Sequence, residues 1–354
     1  MPASSIDTVL ACSIMIILAS SAMAITSTTL NPYLNELSHK NDVERYQQLA
    51  KYILLNPGTP STWGSTPEIT PSSFGLALAN SSHPYQLDVD KVSRLNGENA
   101  YSLTYPQILE AFGVPDVALR IEIKPLFDLS VDLFSNSTEG NETTYTFEIV
   151  TKKSELPISS RLSCYVISKD YVDNVASSTS PSGNGSVSVT IPNSANGTAL
   201  LVSFAKVETQ IVAFNVYPFS HNSSVTPEPN GTFMRLNPLN YKLNLSFSYP
   251  NEEILRAQVF TYNYTFEMTQ IAGDNQTAEY SVPHLLDVSP MIMVITGFNG
   301  SSTFAEWVSY PQLPIETGAD LSGLSAAAKI VSFRYIVTVN LALYEFTIKF
   351  VGPR

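Results

Sequence analysis

Residues 144–149 read Thr-Tyr-Thr-Phe-Glu-Ile, with Tyr145, Phe147 and Ile149 alternating with Thr144, Thr146 and Glu148. Successive side chains on a strand point to opposite faces, so this period of two puts three large apolar groups on one face and the polar ones on the other. Val187, Val189 and Ile191 alternate with Ser and Thr in the same way, and Val212, Phe214 and Val216 do likewise. Turn-forming stretches separate such runs, Ser-Thr-Glu-Gly-Asn at 137–141 and Ser-Pro-Ser-Gly-Asn-Gly at 180–185. Roughly five to seven strands of this kind predict an Ig-like β-sandwich over residues 118–220.

Downstream, His221 to Asn230 is a Ser/Pro/Asn linker, and a second β region follows it. Leu243, Leu245, Phe247 and Tyr249 form one alternating face, and Phe260, Tyr262, Tyr264 and Phe266 another. The runs 291–296 and 304–310 flank Asn299-Gly300 as a hairpin. The apolar tail, 330–351, is interrupted by Arg334, Glu345 and Lys349, and Tyr344, Phe346, Ile348 and Phe350 alternate with polar neighbours. It reads as a hairpin turning near Asn340 rather than a membrane span. Residues 221–354 are therefore expected to form a second sandwich that includes this hairpin.

Upstream of the strands, residues 57–117 read as a mixed connector. Tyr105 to Phe112 has helical pattern and is ended by Gly113 and Pro115. Asp88 and Asp90 invite a cation-site reading, but no glycine-bearing loop or distal Glu completes a calcium pattern, and a solvated strand or turn is the expectation. Residues 1–56 carry the other organising feature. Thr8 to Asn35 contains no charged residue. As a helix its 28 residues would rise about 42 Å, longer than the ~30 Å of a bilayer core. Ala22-Met23-Ala24 resembles a signal-peptidase site, yet the first 35 residues hold no Lys or Arg, and Leu30, Tyr33, Leu34 and Leu37 continue the helical spacing. Those features favour a retained anchor over a removed signal. Asn41 and Glu44 form a capping-box pattern, after which Tyr46, Leu49, Ala50 and Ile53 mark one face of an amphipathic extension.

Composition narrows the class. The chain has 354 residues, only 14% of them charged, and a net charge of −12. Without Lys/Arg clusters, nucleic acid and anionic lipid headgroups are poor partners. Asn-x-Ser/Thr sequons begin at Asn80, Asn136, Asn141, Asn184, Asn196, Asn222, Asn230, Asn244, Asn263, Asn275 and Asn299, eleven of 24 asparagines. Roughly five would arise by chance, so the excess points to an N-glycosylated exterior region. All eleven follow the apolar stretch, which places the rest of the chain outside the membrane. Cys12 and Cys164, the two cysteines, would lie on opposite sides of a membrane boundary, so a disulfide between them is not expected.

No catalytic constellation stands out. His39, His83, His221 and His284 are isolated, and no zinc spacing, P-loop, nucleophile elbow or dinucleotide fingerprint occurs. Asp128 and Asp132 read as a solvent-facing strand edge, and Trp63 and Trp307 as core aromatics. The expectation is a non-enzymatic protein with no cofactor or metal. Asp7 stands apart, because a carboxylate at the mouth of an apolar helix is costly unless partnered. It would either set register against a neighbouring subunit's amino terminus in a helical assembly or cap its own helix in the headgroup zone.

The acid before an apolar helix, the amphipathic extension and the β-rich head together resemble archaeal type IV pilin-like and archaellin-like surface proteins. The residues that carry the resemblance are Tyr46 to Gly58 (YQQLAKYILLNPG), Phe74-Gly75-Leu76-Ala77, Leu87 to Leu95 (LDVDKVSRL), Tyr101 to Tyr105 (YSLTY) and the final hairpin. The family's leader carries a basic residue before its cleaved bond, which this sequence lacks; cleavage after Pro2 would put Asp7 at mature position five, where pilins usually carry Glu. The resemblance implies a membrane-inserted structural protein. Its helix would contact membrane lipid and bundle with pilin-like subunits or with copies of itself, in a filament or pseudopilus. A monomeric anchored adhesin or ligand-binding protein is the alternative.

Overall fold

The computed structural model describes residues 15–16, 18–21, 23, 42–223, 232–284, 287–300, 302–322 and 330–352. The chain divides into two compact units, residues 1–51 and 52–354. In the first, the described residues between 15 and 23 are helical and exposed. No helix among the described residues is long and apolar enough to cross a membrane. Most of Thr8 to Asn35, and Asp7 itself, lie outside the described residues. Helix α1 (residues 42–55) buries Tyr46, Ala50, Ile53 and Leu54, close to the expected stripe, with Leu49 half-buried.

From residue 52 on, the unit is mainly β. The α1 helix ends at Asn56-Pro57-Gly58, where Gly58 has φ of +76°. Phe74-Gly75-Leu76-Ala77 crosses this corner so closely that a Cβ on Gly75 would collide with the Asn56 carbonyl oxygen. Leu76 N–H donates to Ile53 O at 2.8 Å and Ala77 N–H to Asn56 O at 3.1 Å. Strand β1 (Gln86–Leu87), helix α2 (Val89–Ser93) and helix α3 (Tyr105–Phe112) follow. Gln107 Oε1 accepts from Thr104 N–H at 2.8 Å at the start of α3, and Gly113 closes it with φ of +69°. Next comes β2 (Ala118–Pro125).

Eight antiparallel strands then make the first sandwich: β3 (Asp128–Glu139), β4 (Glu142–Lys153), β5 (Leu156–Pro157), β6 (Arg161–Ser168), β7 (Tyr171–Ser178), β8 (Asn184–Pro192), β9 (Gly197–Glu208) and β10 (Ile211–His221). β4 lies between β3 and β8 in one sheet, with β5 at its end, and the facing sheet runs β10-β9-β6-β7. The second sandwich uses β11 (Met234–Leu239), β12 (Lys242–Phe247), β13 (Glu252–Phe260), β14 (Thr265–Glu267), β15 (Thr269–Gly273), β16 (Thr277–Ser281), β17 (Met291–Asn299) and β18 (Ser302–Tyr310). Its sheets run β11-β12-β16-β15 and β14-β13-β17-β18. Lettered in chain order, both are A-B-E sheets against G-F-C sheets, the arrangement of the immunoglobulin fold. Tyr145, Phe147, Ile149, Val187, Val189 and Ile191 all point into the first core, as their alternation predicts.

The two G-F-C sheets do not face solvent on their outer sides. Tyr165, Ile167, Leu200, Val202 and Phe204 from one pack against Phe260, Ile292, Val294 and Ala305 from the other. The sandwiches therefore stack through a third hydrophobic layer, and β9 and β17 are buried on both faces.

Residues 118–125 and the terminal hairpin depart from the expected division. The strands β19 (Ile315–Gly318), β20 (Ile330–Val339) and β21 (Ala342–Val351) join β1 and β2 in a separate sheet ordered β1-β20-β21-β2-β19. The first sandwich thus begins at Asp128 rather than Ala118, and the hairpin, which turns at Asn340-Leu341 with positive φ at both, pairs with β2 rather than with the second sandwich. Side-chain matching on both faces explains the pairing. Leu119, Ile121 and Ile123 align with Phe350, Ile348 and Phe346 on the buried side, where Phe350 stacks on Phe112 of α3. On the other side Lys349 Nζ donates to Glu122 Oε1 at 2.5 Å, Arg120 pairs with Glu316, and Arg334 Nε lies 3.4 Å from Glu345 Oε1. The segment 57–117 is no mere connector, because α3 covers this sheet. Truncating the central ring of the layer between the sandwiches, Phe204→Ala, is expected to cost about 3–5 kcal/mol, read as a lower midpoint in urea unfolding; an unchanged midpoint would contradict that layer.

Candidate functional site

Charge is scarce in this chain, so buried charges are informative. Asp88 caps α2 by accepting from Asp90 N–H at 3.0 Å and Lys91 N–H at 3.1 Å. Asp90 turns the other way and accepts from Tyr310 Oη at 2.5 Å and from Asn240 N–H at 2.7 Å. Burial pushes the Asp90 carboxyl above its usual range, while the two donors work against that shift. Lys91, fully buried, donates to Ala77 O at 2.9 Å, and burial lowers its pKa. Arg94 gathers the loop above it, donating to Tyr101 O at 2.8 Å, Ile69 O at 2.9 Å, Thr66 O at 3.0 Å and Pro67 O at 3.2 Å, and to Trp63 O. Its guanidinium carbon lies 5.6 Å from the centre of the buried Trp63 ring. Each charge is spent on backbone or on a neighbouring element, and Asp88 and Asp90 face different partners. No group of three or more His, Cys, Asp or Glu among the described residues is placed to hold a metal.

A cleft of about 900 Å³ opens beside this knot. Its walls bring Asn96 and Glu98 from the loop after α2 against Val216 of β10, Arg235 of β11, Trp307 of β18 and Glu316 of β19. Phe214 meets Trp307 edge-on at 6.4 Å and braces one wall. The floor is pinned through Gln312, whose backbone carbonyl accepts from Asn96 Nδ2 at 3.1 Å and whose Oε1 accepts from Asn99 Nδ2 at 3.0 Å. An aromatic face beside one guanidinium, two carboxylates and an amide can hold a polar ligand with one flat apolar side. Among the described residues that line it, no nucleophile–base pair occurs. Trp63 is core, as expected; Trp307 is half-buried and lines this opening instead. Its lining comes from five separate stretches, of which sequence singled out Trp307 as a core aromatic and Val216 as a strand residue.

The sequons separate clearly from the other asparagines. Of the ten that are described, eight are exposed, Asn244 and Asn299 are half-buried, and none is buried; Asn230 lies outside the described residues, as does Asp7. Of the ten other described asparagines only three are exposed, and Asn99 and Asn237 are buried. The turns bearing Asn141 and Asn196 adjoin the end of β10 bearing Asn222. Asn193 N–H donates to Asn141 O at 2.8 Å, and Asn222 Nδ2 to Asn193 Oδ1 at 2.7 Å. Asn263 is exposed, but its Nδ2 is held by Asp287 Oδ1 at 2.9 Å. Asp128 and Asp132 are exposed on β3.

No family model and no curated protein matches this sequence. Among solved structures it is similar to a marsupial T cell receptor (7% identity, 52% of this chain and 96% of that one, TM-score 0.19). A two-domain fibronectin type III segment of chicken tenascin gives 10% identity over 53% of this chain and 97% of that one, TM-score 0.18. Red sea bream transglutaminase gives 5% identity over 58% of this chain and 33% of that one, TM-score 0.22. Likenesses at this level carry no functional argument.

His221, fully buried at the end of β10, is the histidine whose setting has a consequence for pH. A carbonyl can only accept, so Nε2 carries the proton given to Pro192 O at 3.0 Å, and Nδ1 accepts from the Tyr145 hydroxyl at 3.0 Å. Burial lowers the His221 pKa. The unfolded chain therefore takes up this proton first, and the stability tied to the neutral ring is lost as pH falls below about 6.5 towards the folded value. Urea midpoints of the wild type should fall across that window more than those of His221→Gln; parallel profiles would refute the assignment.

Proposed function

We propose that this chain is a membrane-inserted, N-glycosylated extracellular structural protein, a pilin-like subunit whose two stacked sandwiches form an exterior head. The observation that carries the reading is the distribution of its sequons. An acceptor asparagine must project into solvent to receive a glycan, and the sequon asparagines do so where the remaining asparagines mostly do not. The uncharged stretch from Thr8 to Asn35, the carboxylate of Asp7 before it and the mainly β head agree with the reading. The residues that resemble archaeal pilin-like proteins add to it, with the filament or pseudopilus formed through the N-terminal helix.

Glycopeptide mapping and N-terminal sequencing of the protein from its native membrane test both halves. Glycans are expected at the exposed turn sites Asn80, Asn141, Asn196 and Asn275, with Asn263 vacant because Asp287 holds its amide. Absence of glycan at every site would remove the exterior assignment. A mature terminus a few residues before Asp7, together with filaments by negative-stain microscopy, is expected; an intact Met1 would sink the filament.

The cleft at Trp307 supports a second reading, an anchored ligand-binding or adhesin-type protein. Oligosaccharide array binding that is lost in Trp307→Ala without a change in thermal unfolding would favour it, and equal binding by both proteins would dismiss it.

A further inference from the structure

The sheet formed by β1, β20, β21, β2 and β19 has a long edge that is open over most of its length. Along β20, Ile330 to Val337 has β21 on one side and, among the described residues, no strand on the other; β1 reaches only Thr338 and Val339. Thr338 N–H donates outward to Tyr85 O at 3.0 Å. Backbone groups alternate in direction along a strand, so the N–H and C=O groups of Ile330, Ser332, Arg334 and Ile336 also point outward. Several other edges carry devices that discourage pairing, though β7 and β18 have neither proline nor bulge. β3 is bulged at Leu133/Ser135, with exposed Asp128 and Asp132 and the Asn136 sequon. β10 is bulged and holds Pro218, β11 holds Pro238, and β15 is bulged at Gln270/Ala272. Over its open length β20 has no proline, no bulge and a single charge, and Ile330 and Ile336 are 45% and 49% exposed.

We propose that this edge pairs with the same edge of a second copy of the chain, antiparallel about a two-fold axis at Phe333. The sequence of the edge is self-complementary in that register. Ile330 meets Ile336 of the second copy, and Ser332 meets its Arg334. Val331 meets its Tyr335, and Phe333 meets its own symmetry mate. No like charges are opposed. The register is also the one in which every outward-pointing residue faces another, giving four pairs that exchange two hydrogen bonds each, about eight in all. None of the five strands of this sheet bears a sequon; Asn80 lies in the turn that leads into β1, beyond the open stretch from Ile330 to Val337. This contact is separate from the N-terminal helix and does not depend on it.

The test uses the full chain purified in mild detergent. In the double variant Ser332→Cys with Arg334→Cys, each new thiol faces its partner across a hydrogen-bonded pair at a Cα spacing of about 5.5 Å, within disulfide reach. Mild oxidation should convert most of the protein to a covalent dimer that reductant releases, while Ser332→Cys alone should give little. Both variants are made in a Cys12→Ser chain, and Cys164 does not interfere, because it is buried and burial pushes its thiol up to about 11. In Ser332→Pro the lost N–H is one that the β21 ladder does not use, so the fold should persist while the sedimentation mass falls towards the monomer. A double variant that crosslinks no better than the single one, or a Ser332→Pro chain that folds and keeps the wild-type mass, would overturn the proposal. An assembly held by the helix alone gives both of those results.

Discussion

Two sheets whose outer faces are as apolar as their inner ones cannot both meet water. Exposing Ile167, Leu200, Val202 and Phe204 on one side and Phe260, Ile292 and Val294 on the other would forfeit about 1.5–3 kcal/mol for each large side chain. Pressing the sheets together removes that cost and fixes how the two sandwiches face one another. The contacts at its margins follow from it. Thr296 Oγ1 donates to Lys169 O at 2.7 Å, and Gly197 lies so close to Thr303 that no side chain fits there. Interdomain contacts within a chain are commonly small and polar and permit motion; this one is built as a core.

The buried charges around α2 solve a different problem. Residues 57–117 hold two short helices and little ladder of their own, so their polar backbone needs partners from elsewhere. Arg94 supplies donors to five carbonyls, four in the loop from Trp63 to Ile69 and one at Tyr101 in the turn between α2 and α3. Asp90 reaches across to Tyr310 and Asn240 of the second sandwich. A buried charge adds little net stability, but removing its partners is expensive, so such groups fix one arrangement against alternatives. The same logic places Gln312 and Asn99 between the loop and the sandwich, and thereby gives the cleft a rigid floor.

Local periodicity located β4, β8, β10, β12 and the hairpins β17–β18 and β20–β21, but it read Phe260 to Phe266 as one alternating face where the chain turns between Thr261 and Tyr264. The alternation at 144–149 and 187–191 reports a sheet with one wet face and one dry face, and those strands lie where it predicts; at 212–216 the apolar face lies in the layer between the sandwiches instead. Helix α3 and the turn at Asn340 were equally readable from caps and turn residues. What local pattern does not carry is partnership. Ala199 to Ala205 and Met291 to Ile295 show continuous apolar character rather than alternation, which marks strands buried on both sides but does not say by what. The pairing of Ala118–Pro125 with Ala342–Val351 spans more than two hundred residues, and its evidence is divided between apolar groups on one face and opposite charges on the other. The cleft was illegible for the same reason, since Asn96, Arg235, Trp307 and Glu316 share no local pattern.

The surface is divided by chemistry as well as by architecture. Hydroxyls and sequons dominate the solvent faces of the sandwiches, where Thr144, Thr146, Ser188 and Thr190 bond to one another across strands. Charges gather on the outer face of the β20–β21–β2 sheet, where acids and bases alternate from Arg334 through Glu345 to Lys124, and from Lys349 through Glu122 and Arg120 to Glu316. Exposed ion pairs of this kind contribute about 0–1 kcal/mol each, so stability does not account for the concentration. Register accounts for part of it: shifting β21 by two residues in one direction would keep its apolar face buried but set Glu345 opposite Glu122, and shifting it the other way would take Glu345 from Lys124. The charges therefore help to discriminate among the pairings the hydrophobic pattern allows: Arg120 and Lys349 face one another, yet both reach Glu122, in a sheet assembled from segments at opposite ends of the β region.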